Sequence, residues 1–98
     1  MEHRSVVAMR LKQARTLAGL SQKQLGIKAG IDEFSASPRI NQYERGKHTP
    51  DYQTVERLAK VLGVPTPFFY SRDDDLAEVI LRFGKLTAQQ RRRIKALK

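Results

Sequence analysis

Arg39, Asn41, Gln42 and Arg45 lie close together in the stretch "SPRINQYERG". A guanidinium fork fits the O6 and N7 of guanine, and the carboxamide of Asn or Gln fits the N6 and N7 of adenine. A helix through these residues places Ile40 and Tyr43 on one side with Glu44 beside them. Pro38, Asn41, Gln42 and Arg45 then point the other way, with Arg39 on a flank near the start. Taken alone, such a face is also that of a solvated surface helix. The surrounding elements have to decide.

Those elements all read as helical. Val7, Leu11 and Ala14 recur at helical spacing and predict a first helix over about 5–18, ended by Gly19. Ser21 and Gln24 have the capping-box spacing, so a second helix starts near Gln22, buries Leu25 and Ala29, and closes at Gly30. A spacer over 31–36 follows, with Phe34 expected to cover the core rather than to wedge into DNA. Ser37 then reads as an N-cap and Pro38 as a first helical residue, because proline disfavours the α conformation in the residue before it. The third helix is expected over 38–45, stopped by Gly46.

Thr49-Pro50-Asp51 opens a fourth helix over 51–62, with Tyr52, Val55, Leu58, Ala59 and Leu62 on its inner face. Thr66-Pro67 precedes a short fifth helix through "FFY". Asp73, Asp74 and Asp75 suit the positive end of a sixth helix better than a cation site. Its apolar stripe is Leu76, Val79, Ile80 and Phe83. Thr87 and Gln90 form another capping box before a seventh helix carrying Ile94 and Leu97. No alternating run predicts a strand, so the fold class is all-α.

Nineteen Lys and Arg against 10 Asp and Glu give a formal charge of +9. A surplus of that size points to a polyanionic partner. It is spread along the chain, with Arg91–Arg93 near the end expected on a solvated helix face. There is no cysteine, hence no disulfide framework or thiolate metal site, and a cytoplasmic setting fits. No run approaches the roughly 20 apolar residues that span a bilayer, and "MEHRSVVAMRLK" does not read as a signal peptide. His3 and His48 are far apart and predict no metal site; no cofactor is expected. No nucleophile–base pair or phosphate-binding glycine loop is visible, so the expectation is not an enzyme.

From Arg10 to Leu62 the chain resembles the helix-turn-helix domain of phage lambda-type repressors, the Xre or Cro/C1 family. The matching text is "RLKQARTLAGLSQKQL" with "AG", then "INQYERGK", then "TPDYQTVERLAKVLGV". The resemblance implies a compact five-helix bundle whose second helix crosses the DNA backbone and whose third lies in the major groove. It implies that Gln22 bonds a phosphate at a helix N-terminus, that Ser37, Pro38 and Gln42 face bases, and that Lys47, His48 and Thr49 grip flanking phosphates. Arg39 and Asn41 join the base-facing set, and Lys23 and Arg45 the phosphate-facing set. Arg15 and Glu44 match a pair that forms a buried salt bridge in relatives. Three departures stand out. The connection between the second and third helices is about four residues longer than usual, Pro38 replaces a side chain that often donates to a base, and Gly26 stands where alanine is common, which makes Arg39 or the inserted loop over 32–35 a second candidate for part of the readout.

The sequence reading is therefore a DNA-binding domain over 1–70 and a helical extension over 71–98. The expected partner is double-stranded DNA, bound at a palindrome by a homodimer joined through Leu76, Val79, Ile80, Phe83, Ile94 and Leu97. A repressor is the leading expectation. The alternatives are an antitoxin, a restriction–modification controller, or a helical protein-interaction module that does not use DNA.

Overall fold

The computed structural model describes residues 5–98; His3 lies outside them. Six α-helices and one 3-10 helix follow in order: α1 (Val6–Leu17), α2 (Gln22–Lys28), α3 (Glu33–Glu44), α4 (Tyr52–Leu62), the 3-10 helix (Thr66–Tyr70), α5 (Asp74–Phe83) and α6 (Ala88–Lys95). No strand occurs among the described residues.

Local chemistry sets most boundaries. Ser21 and Gln24 exchange both capping-box bonds at α2, and Thr87 and Gln90 do so at α6. The Asp51 carboxylate accepts from the Thr54 N–H at 2.8 Å to start α4. Asp73 accepts from the Leu76 N–H at 3.1 Å to start α5. Gly63 closes α4 at φ 70°, a left-handed conformation that costs glycine no Cβ clash.

The start of α3 corrects the sequence reading. Ser37 is not a cap, and Pro38 lies inside the helix. The cap is Asp32, whose carboxylate accepts from the Phe34 N–H at 3.0 Å, and Glu33 adds negative charge in the first turn. The four extra residues thus form one more turn of α3 instead of a longer connection. Pro38 has no N–H to offer the Phe34 carbonyl, but both residues are exposed, so water can satisfy that oxygen. Phe34 is not a core cover either: it is 87% exposed.

The core is built from α1 (Val7, Leu11, Ala14), α2 (Leu25, Ala29), α3 (Ile40, Tyr43), α4 (Val55, Leu58, Ala59), the 3-10 pair Phe68 and Phe69, and Ala77 of α5. Tyr52, expected inside, is exposed and stacks on Tyr70 with ring centroids 6.2 Å apart. The most extensive helix–helix contact is α2 with α3. Its closest point is Gly26 against Ala36. A Cβ on Gly26 would stand 2.6 Å from the Ala36 Cβ and 2.9 Å from its Cα, so no side chain fits there.

The core does not stop at the expected 70/71 boundary. Arg10, 4% exposed, sits among the inward residues of α1. Its guanidinium donates to the Ser71 carbonyl at 2.8 Å, the Arg72 carbonyl at 3.3 Å and the Asp74 carboxylate at 3.0 Å. It also lies over the Phe68 ring, 5.5 Å from the centroid.

The stripe expected on α5 divides in two. Ala77 is buried, and Ile80 and Leu81 pack on the core. Leu76 and Val79 remain 52% and 55% exposed. Phe83 is half-buried under the Arg91 guanidinium, 4.7 Å from the ring centroid. The reason is the shape of the partner surface: Ala77 lets α5 approach the 3-10 helix closely, and the helix turns that small residue inward. Ile94 is exposed on α6, and Leu97 is exposed beyond its end. Arg92 and Arg93 are exposed as well, whereas Arg91 is half-buried and donates to the Gly84 carbonyl at 3.3 Å.

Candidate nucleic-acid interface

The interface is assembled around Glu44. Its carboxylate, 3% exposed, receives Arg15 Nε at 2.5 Å and Arg15 Nη2 at 3.0 Å. Arg15 Nη1 donates to the Leu20 carbonyl at 3.0 Å. One guanidinium thus holds the end of α3, the end of α1 and the turn into α2 together. Bidentate geometry fixes orientation as well as distance.

Gln22 adds a second tie. Its side-chain nitrogen donates to Asn41 Oδ1 at 3.3 Å and to Glu44 Oε1 at 3.2 Å. In the free chain the Gln22 amide is turned onto α3, whereas its expected role is to bond a phosphate. The exposed Lys23 and the backbone N–H groups at the start of α2 remain suited to one.

Pro38, Arg39 and Arg45 are exposed on α3, and Ser37, Asn41 and Gln42 are half-buried. Pro38, Asn41, Gln42 and Arg45 share the face opposite Ile40 and Tyr43, as the helical period requires. The extra turn adds Phe34 to that face, one turn before Pro38. Sequence reading left Phe34 in a spacer because it began the helix at Pro38. Started at Glu33, the same period puts Phe34 outward.

After α3 the chain turns at Gly46, at φ 73°. The Gln42 carbonyl accepts from the Lys47 N–H at 3.0 Å and the His48 N–H at 3.4 Å. Lys47 and His48 are therefore held by the backbone of a residue on the outward face, and the side chains of Lys47, His48 and Thr49 are exposed. Pro50 is buried at the loop's far end. Beyond it, the hydrogen bonds from the Thr54 side chain and the Thr54 N–H hold the Asp51 carboxyl below its ordinary value of 3.8. No group of acidic, histidine or cysteine side chains among the described residues could hold a metal.

A short α2, a tight turn at Gly30 and an outward-facing α3 locked from behind define a helix-turn-helix protein. Residues 11–69 match the helix-turn-helix family profile. The chain belongs to that family, in its lambda-repressor-like or Xre type, whose members are DNA-binding transcriptional regulators and not enzymes. It is 39% identical over 59 residues to the SPbeta prophage-derived HTH-type transcriptional regulator YonR of Bacillus subtilis, covering 60% of this chain and 51% of that one. It is 32% identical over 65 residues to the HTH-type transcriptional regulator ImmR of Bacillus subtilis, covering 66% and 48%. The chain thus spans about half the length of these curated relatives. The crystal structure of the transcriptional regulator BswR superposes with a TM-score of 0.84 at 51% identity, covering 90% of this chain and 87% of that one. No helix among the described residues is long and apolar enough to cross a membrane.

Proposed function

We propose that this chain is a sequence-specific, cytoplasmic transcriptional repressor that occupies a palindromic operator as a homodimer, with α3 in the major groove. The observation that carries the reading is the outward face of α3. Arg39, Asn41, Gln42 and Arg45 offer base-matching and phosphate-matching groups, on a helix held rigid by the Arg15–Glu44 pair. Lys23 at the start of α2 and Lys47, His48 and Thr49 in the loop after α3 are exposed beside it and suit phosphate contacts. Repression follows from occupancy, since a protein bound across a promoter excludes polymerase.

The dimer reading is supported by a surface, not by a single stripe. Tyr52, Tyr70, Leu76 and Ile80 line one shallow cleft with Thr66, Pro67 and Ser71, and Val79 is exposed one turn after Leu76 on α5. Exposed apolar and aromatic side chains grouped in this way mark association surfaces. A two-fold contact there would place two copies of α3 on half-sites roughly 34 Å apart, one turn of DNA.

The experiment is selection of the full chain against a randomised duplex pool, followed by footprinting and transcription in vitro from a promoter carrying the selected site. An inverted repeat, and transcription that falls as protein is added, are the expected results. An unenriched pool overturns the reading, and rising transcription overturns the assignment as a repressor.

A further inference from the structure

We propose that Phe34 is a thymine reader: its ring packs against C5-methyl groups on the floor of the major groove, beneath the first turn of α3. The inference rests on the reading that α3 enters the groove, and adds a contact which that reading does not contain.

Four observations carry it. The Phe34 ring is 87% exposed, the largest exposure among the exposed large apolar side chains. It is not isolated, because Pro38 is exposed one turn further along the same face, so the two form a continuous apolar strip leading into Asn41 and Gln42. Its position is fixed: Asp32 caps the helix by accepting from the Phe34 N–H at 3.0 Å, and Gly26 against Ala36 seats this turn tightly on α2. Finally, Asp32 and Glu33, both exposed, flank it. Carboxylates are repelled by phosphates, so this turn offers no phosphate contact of its own, and its contribution to DNA has to come from the apolar strip. The apolar group that base edges present in the major groove is the thymine methyl, and an aromatic ring is a suitable partner for it. A polar base edge would gain nothing from this strip, since neither Phe34 nor Pro38 carries a side-chain donor or acceptor.

The test uses the full chain and a duplex recovered from the randomised pool. Each thymine is replaced singly by deoxyuridine, which removes the methyl and leaves the pairing intact. Expected is a loss of about fourfold per contacted methyl at one or two positions in each half-site. Phe34→Ala, which removes the ring from both half-sites at once, should weaken binding to the parent duplex by the product of the single-methyl losses, about 16-fold for one methyl per half-site, and no longer respond to deoxyuridine there. Phe34→Leu, still apolar, should keep the response. In the reverse direction, a cytosine placed at the same position should be bound better when it carries a 5-methyl group, by the wild-type chain and not by Phe34→Ala. Phe34 is exposed, so its replacement should leave the thermal midpoint unchanged. If no thymine responds to deoxyuridine, or Phe34→Ala shows the same penalties as the wild type, the inference is overturned while the operator reading stands. If no sequence is enriched from the pool at all, both fall together.

Discussion

Glu44 and Arg15 lie 29 residues apart in the chain and meet at two contacts, Nε to Oε2 and Nη2 to Oε1. The carboxylate also receives the Gln22 amide at 3.2 Å. Three helices therefore converge on one buried anion. Removing a single partner leaves an uncompensated charge in the interior, which costs about 3–5 kcal/mol. Arg15→Ala or Glu44→Ala should lower the urea midpoint accordingly. Replacing both with Met and Leu should restore most of the stability. A midpoint that does not move in either single variant would show that the pair holds nothing.

Gly26→Ala tests the α2–α3 seat. The added carbon would meet Ala36 Cβ at 2.6 Å and, less forgivingly, its Cα at 2.9 Å and carbonyl oxygen at 3.0 Å. Overpacking of this kind costs about 1–3 kcal/mol. Ala36→Gly in the same chain should recover only part, because backbone atoms remain in the way. Thermal melts of the single and double variants give the comparison.

The loop and the helix face should separate by their effect on specificity. Lys47→Ala is expected to weaken all duplexes alike and to make the salt dependence less steep by about one unit. Gln42→Ala should cost about 1–3 kcal/mol at one base pair per half-site and relax preference there. Titrations between roughly 50 and 200 mM salt distinguish the two. A uniform loss for Gln42→Ala would reassign it to the backbone.

The surface on α5 predicts an assembly change. Val79→Glu and Leu76→Glu should yield a folded monomer with weakened, non-cooperative DNA binding. Both side chains are more than half exposed in the single chain, so a polar replacement should not disturb its core. Sedimentation at micromolar concentration decides the matter, and a charged variant that still dimerises would move the contact elsewhere.

Asp51 supplies a pH dependence. Its carboxyl is held low by the Thr54 hydroxyl and backbone N–H, so the charged form is favoured in the folded state. The contribution is present above the ordinary value of 3.8 and is lost as pH falls below it through the folded value. Asp51→Asn should reduce the drop in thermal midpoint over that acid window and leave the rest of the profile in place. An unchanged acid profile would mean the cap contributes nothing that titrates.

What could be read in advance followed from chemistry that is local in sequence. The capping boxes at Ser21 and Thr87, the glycine stops and the apolar spacing of α1 and α4 each depend on residues within about one turn. The start of α3 was harder because two valid signals competed. Ser37-Pro38 is a good helix start, and so is Asp32-Glu33. The winner was decided by Gly26, whose missing side chain lets Ala36 pack as a helical residue. The α5 stripe was correctly apolar, but a period does not say which side meets which partner, and Ala77 was too small to register. Arg10 was named only as the start of the matching stretch and not as a core residue. Its place three residues after Val7 and four before Ala14, on the buried face of α1, was the available clue. Gln22 was turned by a neighbour 19 residues away, which no local pattern encodes.

The Arg10 guanidinium bonds the Ser71 and Arg72 carbonyls and the Asp74 carboxylate, and so ties the connection between the 3-10 helix and α5 to α1. In an assembly joined through α5, that stretch is the joint of a pair of callipers, and the arginine clamps it. The opening between the two arms is then a property of a single chain, fixed before any DNA arrives. If two copies do meet through α5 on an inverted repeat, an operator with one base pair added between its half-sites would have to twist to meet the protein, because that joint is tied down in each chain.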